Sequence, residues 1–534
     1  MSEEKNIAVP EEQRELVRGI RGWQIAFIGL GGVIGSCYFL GVGWVIQMMG
    51  PATFIAFGIV GLIVFGLMIA YAELLVNVPR KGTFVAYTNE FLGPTISVGM
   101  GWSFWANWVI YVPSEAIAVS VALQGITGVT GTIPYVAFAL GTLAALTIIN
   151  IAAVDIFAKI ESGLAITKVC IIILFVLLAF GIWVGLWGNP EGQLAGLVED
   201  GFKGMGVNFP ENVGLYNQLF PNGIAVVAVM MVVVLVTFQG TEIVGLAASE
   251  SQNPDVTVPK ACRSVTYRIV FLYMVPVLLV LLIFPFELAG DDIPVFAEVA
   301  RDYGFGAIHY IFLAVVLVAA FSCGNTGFYG VVRCMYGLAV EGLAPKYFAR
   351  LNKKGNPRKA VYLTLAGMWV VLIIGLISEL TGALTSLYGN LLCLSGFTGT
   401  LAWVGIILAQ KRMRVRLKQR GYDPDEEGFL KARVKPGMAW VPWYALIAQV
   451  SALIMLAFGD IVDPEGNAGG GIVIFIVACS AVILPMIVYW IVKKLGKDRK
   501  INTLKEGDVP FDELFPAKPG SEEYNNQHNI QKAE

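Results

Sequence analysis

The chain has 534 residues, of which 56% are hydrophobic and only 14% charged, whereas a soluble domain is about a quarter charged. Its net charge of −2 excludes the global basic field of a nucleic-acid binder. Seven scattered cysteines and two histidines form no CxxC or Cys/His cluster, which argues against a structural metal and a disulfide framework. The composition is that of a polytopic protein whose partner is the lipid bilayer.

The N-terminal stretch "MSEEKNIAVPEEQRELVRGIRGW" is polar. It lacks the short apolar core of a cleaved signal peptide, so the first span is expected to direct insertion. A bilayer-crossing helix needs about 20 apolar residues. Such runs occur at 23–49, 52–74, 97–123, 133–154, 162–186, 224–247, 264–286, 307–338, 360–379, 383–409, 440–459 and 470–492. The expectation is therefore an all-α membrane protein of twelve transmembrane helices.

Charge sets the orientation. With the N-terminus in the cytoplasm, the external loops hold only Lys203 and Arg301, and Lys168 falls within span five. All other Lys and Arg lie on the cytoplasmic side or at its boundary, which puts both termini inside. The organisation is then a tail at 1–22, a five-span block at 23–186, an external loop at 187–223 and a second five-span block at 224–409. A charged internal loop at 410–439, spans eleven and twelve at 440–492 and a solvated, largely disordered tail at 493–534 complete it.

Two spans are interrupted. "LGGVIGSCYFLGVG", Leu30 to Gly43, sets five glycines in span one, and "VTFQGTEIVGLAASES", Val236 to Ser251, follows a long Val/Met run in span six. The two spans begin about 200 residues apart and each opens a block of five, so the second block enters the membrane with opposite orientation. That is the arithmetic of a five-plus-five inverted repeat with discontinuous helices 1 and 6 at a midplane site. A broken helix bares N–H groups on one half and carbonyls on the other, tolerable in the bilayer only where they line a protected cavity. The first attract a carboxylate and the second an ammonium, and an amino-acid zwitterion carries both. The alternative for each break is close helix packing, since Gly31 and Gly35 fit small-xxx-small spacing.

These residues resemble amino-acid permeases of the amino acid–polyamine–organocation superfamily, in the amino-acid transporter branch. Besides the two breaks, the resemblance rests on "YAELLVNVPRKGTFVAYTNEFLGP", "NWVIYVPSEAIAVS", "KIESGLAITKV", "NTGFYGVVRCMYGLAVEGLAPKYFARLNKKGNPRKA" and "LSGFTGTLAWVGIILAQKRMR". It implies a LeuT-type fold with two extra helices, and an amino-acid substrate held between spans one, three, six, eight and ten. The substrate carboxylate would meet amides near Ser36 and Cys37, after Gly35. Its amine would meet carbonyls near Ile34 and around Phe238 to Gly240. Relatives have Gly-Ser/Thr-Gly and then an aliphatic residue at the first break. Gly35-Ser36-Cys37-Tyr38 departs from this, and a side chain at Cys37 narrows the backbone approach.

Buried ionisable groups are costly in lipid, so each is a functional candidate. Lys168 in span five resembles the lysine that replaces a sodium ion in proton-coupled relatives. It would sit against the span-one break, its alternative being to snorkel to the interface. No sodium site or other cofactor is then expected, only a proton gradient. Glu242, at the span-six break, would carry a proton, brace the unwound segment or pair with a basic side chain. Glu115, after Pro113 and Ser114, resembles the Pro-x-Glu of fungal permeases and would read substrate or proton. Glu73 is expected to be interfacial and structural. "GTFVAY" and "FLGP" suggest a short internal amphipathic element, and "AQKRMRVRLKQR" a solvated face.

No GxxxxGK[ST], GxSxG or HExxH motif occurs, so neither an ATPase nor another enzyme is expected. The leading expectation is a secondary, proton-coupled amino-acid symporter leaning to lysine and arginine, because Glu115 and Glu242 could balance a cationic side chain. Neutral or aromatic substrates, obligate exchange and a transporter-like nutrient sensor are the alternatives.

Overall fold

Runs this long and this apolar can satisfy their backbone in hydrocarbon only as helices or closed barrels, and helices are what the chain forms. A computed structural model describes residues 34–80, 83–152, 157–188, 190, 194, 208–209, 213–243, 269–290, 294–352, 355–382, 386–463, 471–495 and 508–530. Among these residues there is no strand. The main helices, in chain order, are α1 (Cys37–Met49), α2 (Ala52–Asn77), α3 (Phe84–Leu92), α4 (Pro94–Thr127), α5 (Thr132–Ala152), α6 (Phe157–Trp183), α7 (Ile224–Val236) and α8 (Phe271–Ile283). They continue as α9 (Val295–Asp302), α10 (Gly306–Val340), α11 (Arg358–Leu380), α12 (Leu387–Gln419), α13 (Trp440–Met455), α14 (Ile472–Lys494), α15 (Phe511–Leu514) and α16 (Glu522–Ile530). Ten helical stretches among the described residues are long and apolar enough to cross a membrane. The shorter α1 and α8 coincide with expected spans one and seven.

The long helix α4 forms the spine and packs along both α10 and α12. Helix α7 packs against α12, α13 against α2, and α14 against α4 and α12. Outward faces stay apolar: Ile373 and Ile377 on α11 and Ile476, Val477 and Leu484 on α14 are exposed. A soluble protein rarely leaves such patches bare, whereas lipid covers them.

The short internal element expected after Arg80 is α3. Thr83 caps it, its side chain accepting from Val85 N at 3.2 Å, which satisfies one of the orphan donors of the first turn. Gly93, at φ 90°, ends it, and Pro94 opens α4 at a position where no N–H is needed. Helix α3 packs on α4, α10 and α12. Asn89 Nδ2 donates to Glu341 Oε2 at 3.1 Å, at the end of α10.

Three expectations are corrected. First, the charged run after residue 409 is not a solvated loop but the last turns of α12. It contains helix-forming residues and no glycine or proline before Gly421, and Gln410, Met413 and Leu417 bury one stripe of it. Second, Glu73 has the expected structural role but faces no solvent, being fully buried. It accepts from Gln410 Nε2 at 2.8 Å, Arg414 Nε at 2.7 Å and Val434 N at 2.6 Å, tying α2 to the α12 extension. Third, part of the C-terminal tail is docked. Arg420, 1% exposed, donates to Glu523 at 2.6 and 2.8 Å, to Asp512 Oδ1 at 2.6 Å and to the Phe515 carbonyl at 2.8 Å. Arg80 Nη1 donates to the Val509 carbonyl at 2.8 Å. Phe511 is buried on Phe91, with ring centroids 5.4 Å apart. The tail has apolar and acidic residues at positions that these arginines and rings recognise, a match invisible to a count of its polar residues.

Candidate functional site

The first interruption lies just before α1, which opens as a wide turn over Cys37–Gly41. Gly31 and Gly32 lie outside the described residues. Ser36 N donates to both oxygens of Glu115, at 3.1 Å to Oε2 and 3.3 Å to Oε1. The Ser36 and Tyr111 hydroxyls lie close to this carboxylate. Gly35 is required by the close approach. A side chain there would come within 2.7 Å of Tyr111 OH and 2.8 Å of Cys323 Sγ, and nearer still to Glu115 Oε1. Ser36 Oγ lies 3.3 Å from Tyr388 OH.

Lys168 Nζ donates to the Ile34 carbonyl at 2.7 Å, and the residue is fully buried. The snorkelling alternative is therefore set aside. The ammonium is close enough to act on the Glu115 charge. Ile34, Gly35, Ser36, Glu115 and Lys168 thus form one buried cluster, with a carboxylate on an amide N–H and an ammonium on the carbonyl two residues earlier.

Tyr38 turns the other way. Its ring lies 4.5 Å from Tyr273 and 5.4 Å from Phe296, and its hydroxyl donates to the Tyr273 carbonyl at 3.4 Å. Tyr38 therefore packs α1 against α8 and α9. Cys37 stands beside Gly41 on the side of α12: a side chain at 41 would lie 3.3 Å from Cys37 Sγ and 3.1 Å from Leu392.

The second interruption follows α7. Successive tight turns run from Thr237 to Gln239, and Gly240 then adopts φ 99°, where only glycine is comfortable. Glu242 folds back onto this turn and accepts from Gly240 N at 3.0 Å and from Trp403 Nε1 of α12 at 2.9 Å. Glu242 thus joins α12 rather than the Glu115–Lys168 cluster, and its bracing alternative is the one the contacts display. Residues 244–268, which include the end of expected span six, lie outside the described residues. The Phe238 carbonyl accepts from Thr241 Oγ1 at 2.6 Å, and the Phe238 ring stacks on Tyr273 at 4.6 Å. Gln239 Nε2 donates to the Ser395 carbonyl at 3.2 Å, and Ser395 Oγ donates to Asn107 Oδ1 at 2.6 Å, joining spans three, six and ten.

Both interruptions are alike in one respect. Each has a buried glutamate accepting from a backbone amide of the interruption, Glu115 from Ser36 and Glu242 from Gly240. Tyr111, Cys323, Tyr388 and Trp403 were not singled out from the sequence. Tyr111 had a legible signal: it lies four residues before Glu115, on the same helical face.

The amino acid permease family profile matches residues 24–505. The chain belongs to the amino acid permease family. Among its relatives, the lysine-specific permease LysP of Escherichia coli is 30% identical over 448 residues, covering 80% of this chain and 85% of the relative. A putative histidine permease of Bacillus subtilis is 30% identical over 511 residues, covering 94% and 98%. Among solved structures, a manganese transporter of Eremococcus coleocola crystallised with an aromatic bis-isothiourea compound aligns with a TM-score of 0.50 at 15% identity, covering 91% of this chain and 98% of that one. The permease therefore has a transporter fold of the LeuT-like class, is a multi-pass membrane protein and acts on amino acids.

Proposed function

We propose that this permease is a proton-coupled symporter that carries amino acids into the cell, lies in the plasma membrane and has both termini in the cytoplasm. The carrying observation is the buried Lys168 ammonium on the Ile34 carbonyl at the span-one break. A cation fixed there does the work of a bound sodium ion, so no sodium site is needed. Ser36 and Cys37 would offer amides to the substrate carboxylate. Ile34, Phe238 and Gly240 would offer carbonyls to its amine, since a carbonyl retains a second lone pair after one bond.

The substrate leans to lysine and arginine. Support comes from the lysine-specific relative and from the two carboxylates, Glu115 and Glu242, near the breaks. One observation favours a neutral substrate instead: both carboxylates are already engaged, Glu115 by the Ser36 amide beside the Lys168 ammonium and Glu242 by the Gly240 amide. The test is uptake of each amino acid into empty proteoliposomes under an inward proton gradient. Net uptake that collapses with a protonophore and is indifferent to sodium is expected. Uptake only into amino-acid-loaded vesicles would make the permease an exchanger, and binding without uptake would make it a sensor.

A further inference from the structure

We infer that Glu115 is an internal stand-in for the substrate carboxylate: it holds the Ser36 amide while the site is empty and must release it when an amino acid binds. The inference rests on the transporter reading above. Its geometry is direct. The start of α1 is the place in the first break where an anion finds bared N–H groups, and the amide of Ser36 points at both oxygens of Glu115, at 3.1 and 3.3 Å. Lys168 stands on Ile34 at 2.7 Å in the same way. The two side chains together set the charged groups of a zwitterion on the Ile34–Gly35–Ser36 backbone.

A second carboxylate cannot join the first. Glu115, Ser36 and Lys168 are all fully buried, and the space over Gly35 is closed by Glu115, Tyr111 and Cys323. Two carboxylates sharing one buried donor repel strongly, and one of them must take a proton. Binding therefore exchanges one anion for another. A proton from solvent neutralises Glu115, the neutral acid holds Ser36 N more weakly than the carboxylate did, and the substrate carboxylate displaces it from the amide. On substrate release the proton departs and Glu115 returns. Among the described residues, the other titratable groups around Glu115 are Lys168 on α6, Tyr111 on α4, Cys37 on α1, Cys323 on α10 and Tyr388 on α12. Lys168 keeps its own carbonyl throughout and supplies the fixed counter-charge.

This scheme makes the carboxylate the part of the substrate that is coupled to the proton. The experiment is calorimetric binding to the purified full chain in buffers of different ionisation heat. The probes are L-lysine and L-histidine beside lysinamide and histidinamide, which lack the carboxylate. Wild-type protein is expected to take up about one proton per amino acid bound and none with a carboxamide. Glu115→Gln, which keeps size and one acceptor, should bind amino acids without proton uptake. Its affinity should be about tenfold tighter, because a neutral acceptor competes less for the Ser36 amide than a charged one. Proton uptake that persists in Glu115→Gln overturns the inference, as does equal proton uptake with amino acid and carboxamide. A loss of binding shared by amino acids and carboxamides in Glu115→Gln would make Glu115 an ammonium ligand or a prop. The wild-type comparison alone decides the matter if the variant does not fold. If no amino acid of a full screen binds the wild type, the transporter reading itself fails.

Discussion

The charge pair at the first break can be taken apart by a double-mutant cycle. Lys168→Met keeps most of the side-chain volume, so packing changes little. It removes the 2.7 Å bond to Ile34 and leaves a buried carbonyl unpaired, at about 1–3 kcal/mol. It also leaves Glu115 as an uncompensated buried charge, and breaking such a pair costs about 3–5 kcal/mol in all. Glu115→Gln keeps an acceptor for Ser36 N, whose bonds are 3.1 and 3.3 Å, but strands the Lys168 ammonium. In the double variant the site is neutral again. Its cost should fall short of the two single costs combined by about 1–3 kcal/mol. The assay is unfolding of the purified protein in detergent, with proton-driven uptake measured beside it. Lys168→Met should abolish accumulation. Costs that add to within about 0.5 kcal/mol would mean that the two residues do not sense each other, and the paired-charge account would be wrong.

Gly35→Ala should fold poorly or lose uptake, because the new methyl meets Tyr111, Cys323 and Glu115; overpacking of this kind costs about 1–3 kcal/mol, and wild-type uptake with wild-type thermal stability would refute it. Arg420→Ala removes four hydrogen bonds that hold residues 512–523. Since Asp512 is exposed and Glu523 part-exposed, their pairing is discounted to about 1 kcal/mol at most, and the bond to the Phe515 carbonyl adds about 1 kcal/mol. Amide exchange in the tail should then accelerate about tenfold while α4 and α10 stay protected. Unchanged tail exchange would show that the arginine does not anchor it.

Much was legible before any coordinates. Helices in lipid follow from composition, because hydropathy over a window of residues and the backbone's need for hydrogen bonds are local properties. Thr83, Gly93 and Pro94 bound α3 by the same local logic. The two glycine-marked interruptions and the intramembrane Lys168, Glu115 and Glu242 were visible as violations of that logic.

The partner of each violation was not. Glu115 and Ser36 are 79 residues apart, and Lys168 and Ile34 are 134 apart. Which faces of α4 and α6 turn toward the break depends on how whole helices pack and rotate against each other. Glu242 is legible as a charge beside the second interruption, but only the position of Trp403 on α12 and the φ of Gly240 make it a brace. Tyr38, next to the break in sequence, packs away from it into the rings of Tyr273 and Phe296. The tail looked solvated because its polarity was counted residue by residue, whereas Arg420 and Phe91 find its acids and rings only in three dimensions. Sequence alone determined that this chain is a membrane bundle with glycine-rich interruptions and charged residues inside its apolar spans. Tertiary packing decided which charge stands on which peptide group, because a contact between distant residues is set by the register of packed helices and not by the local pattern within either one.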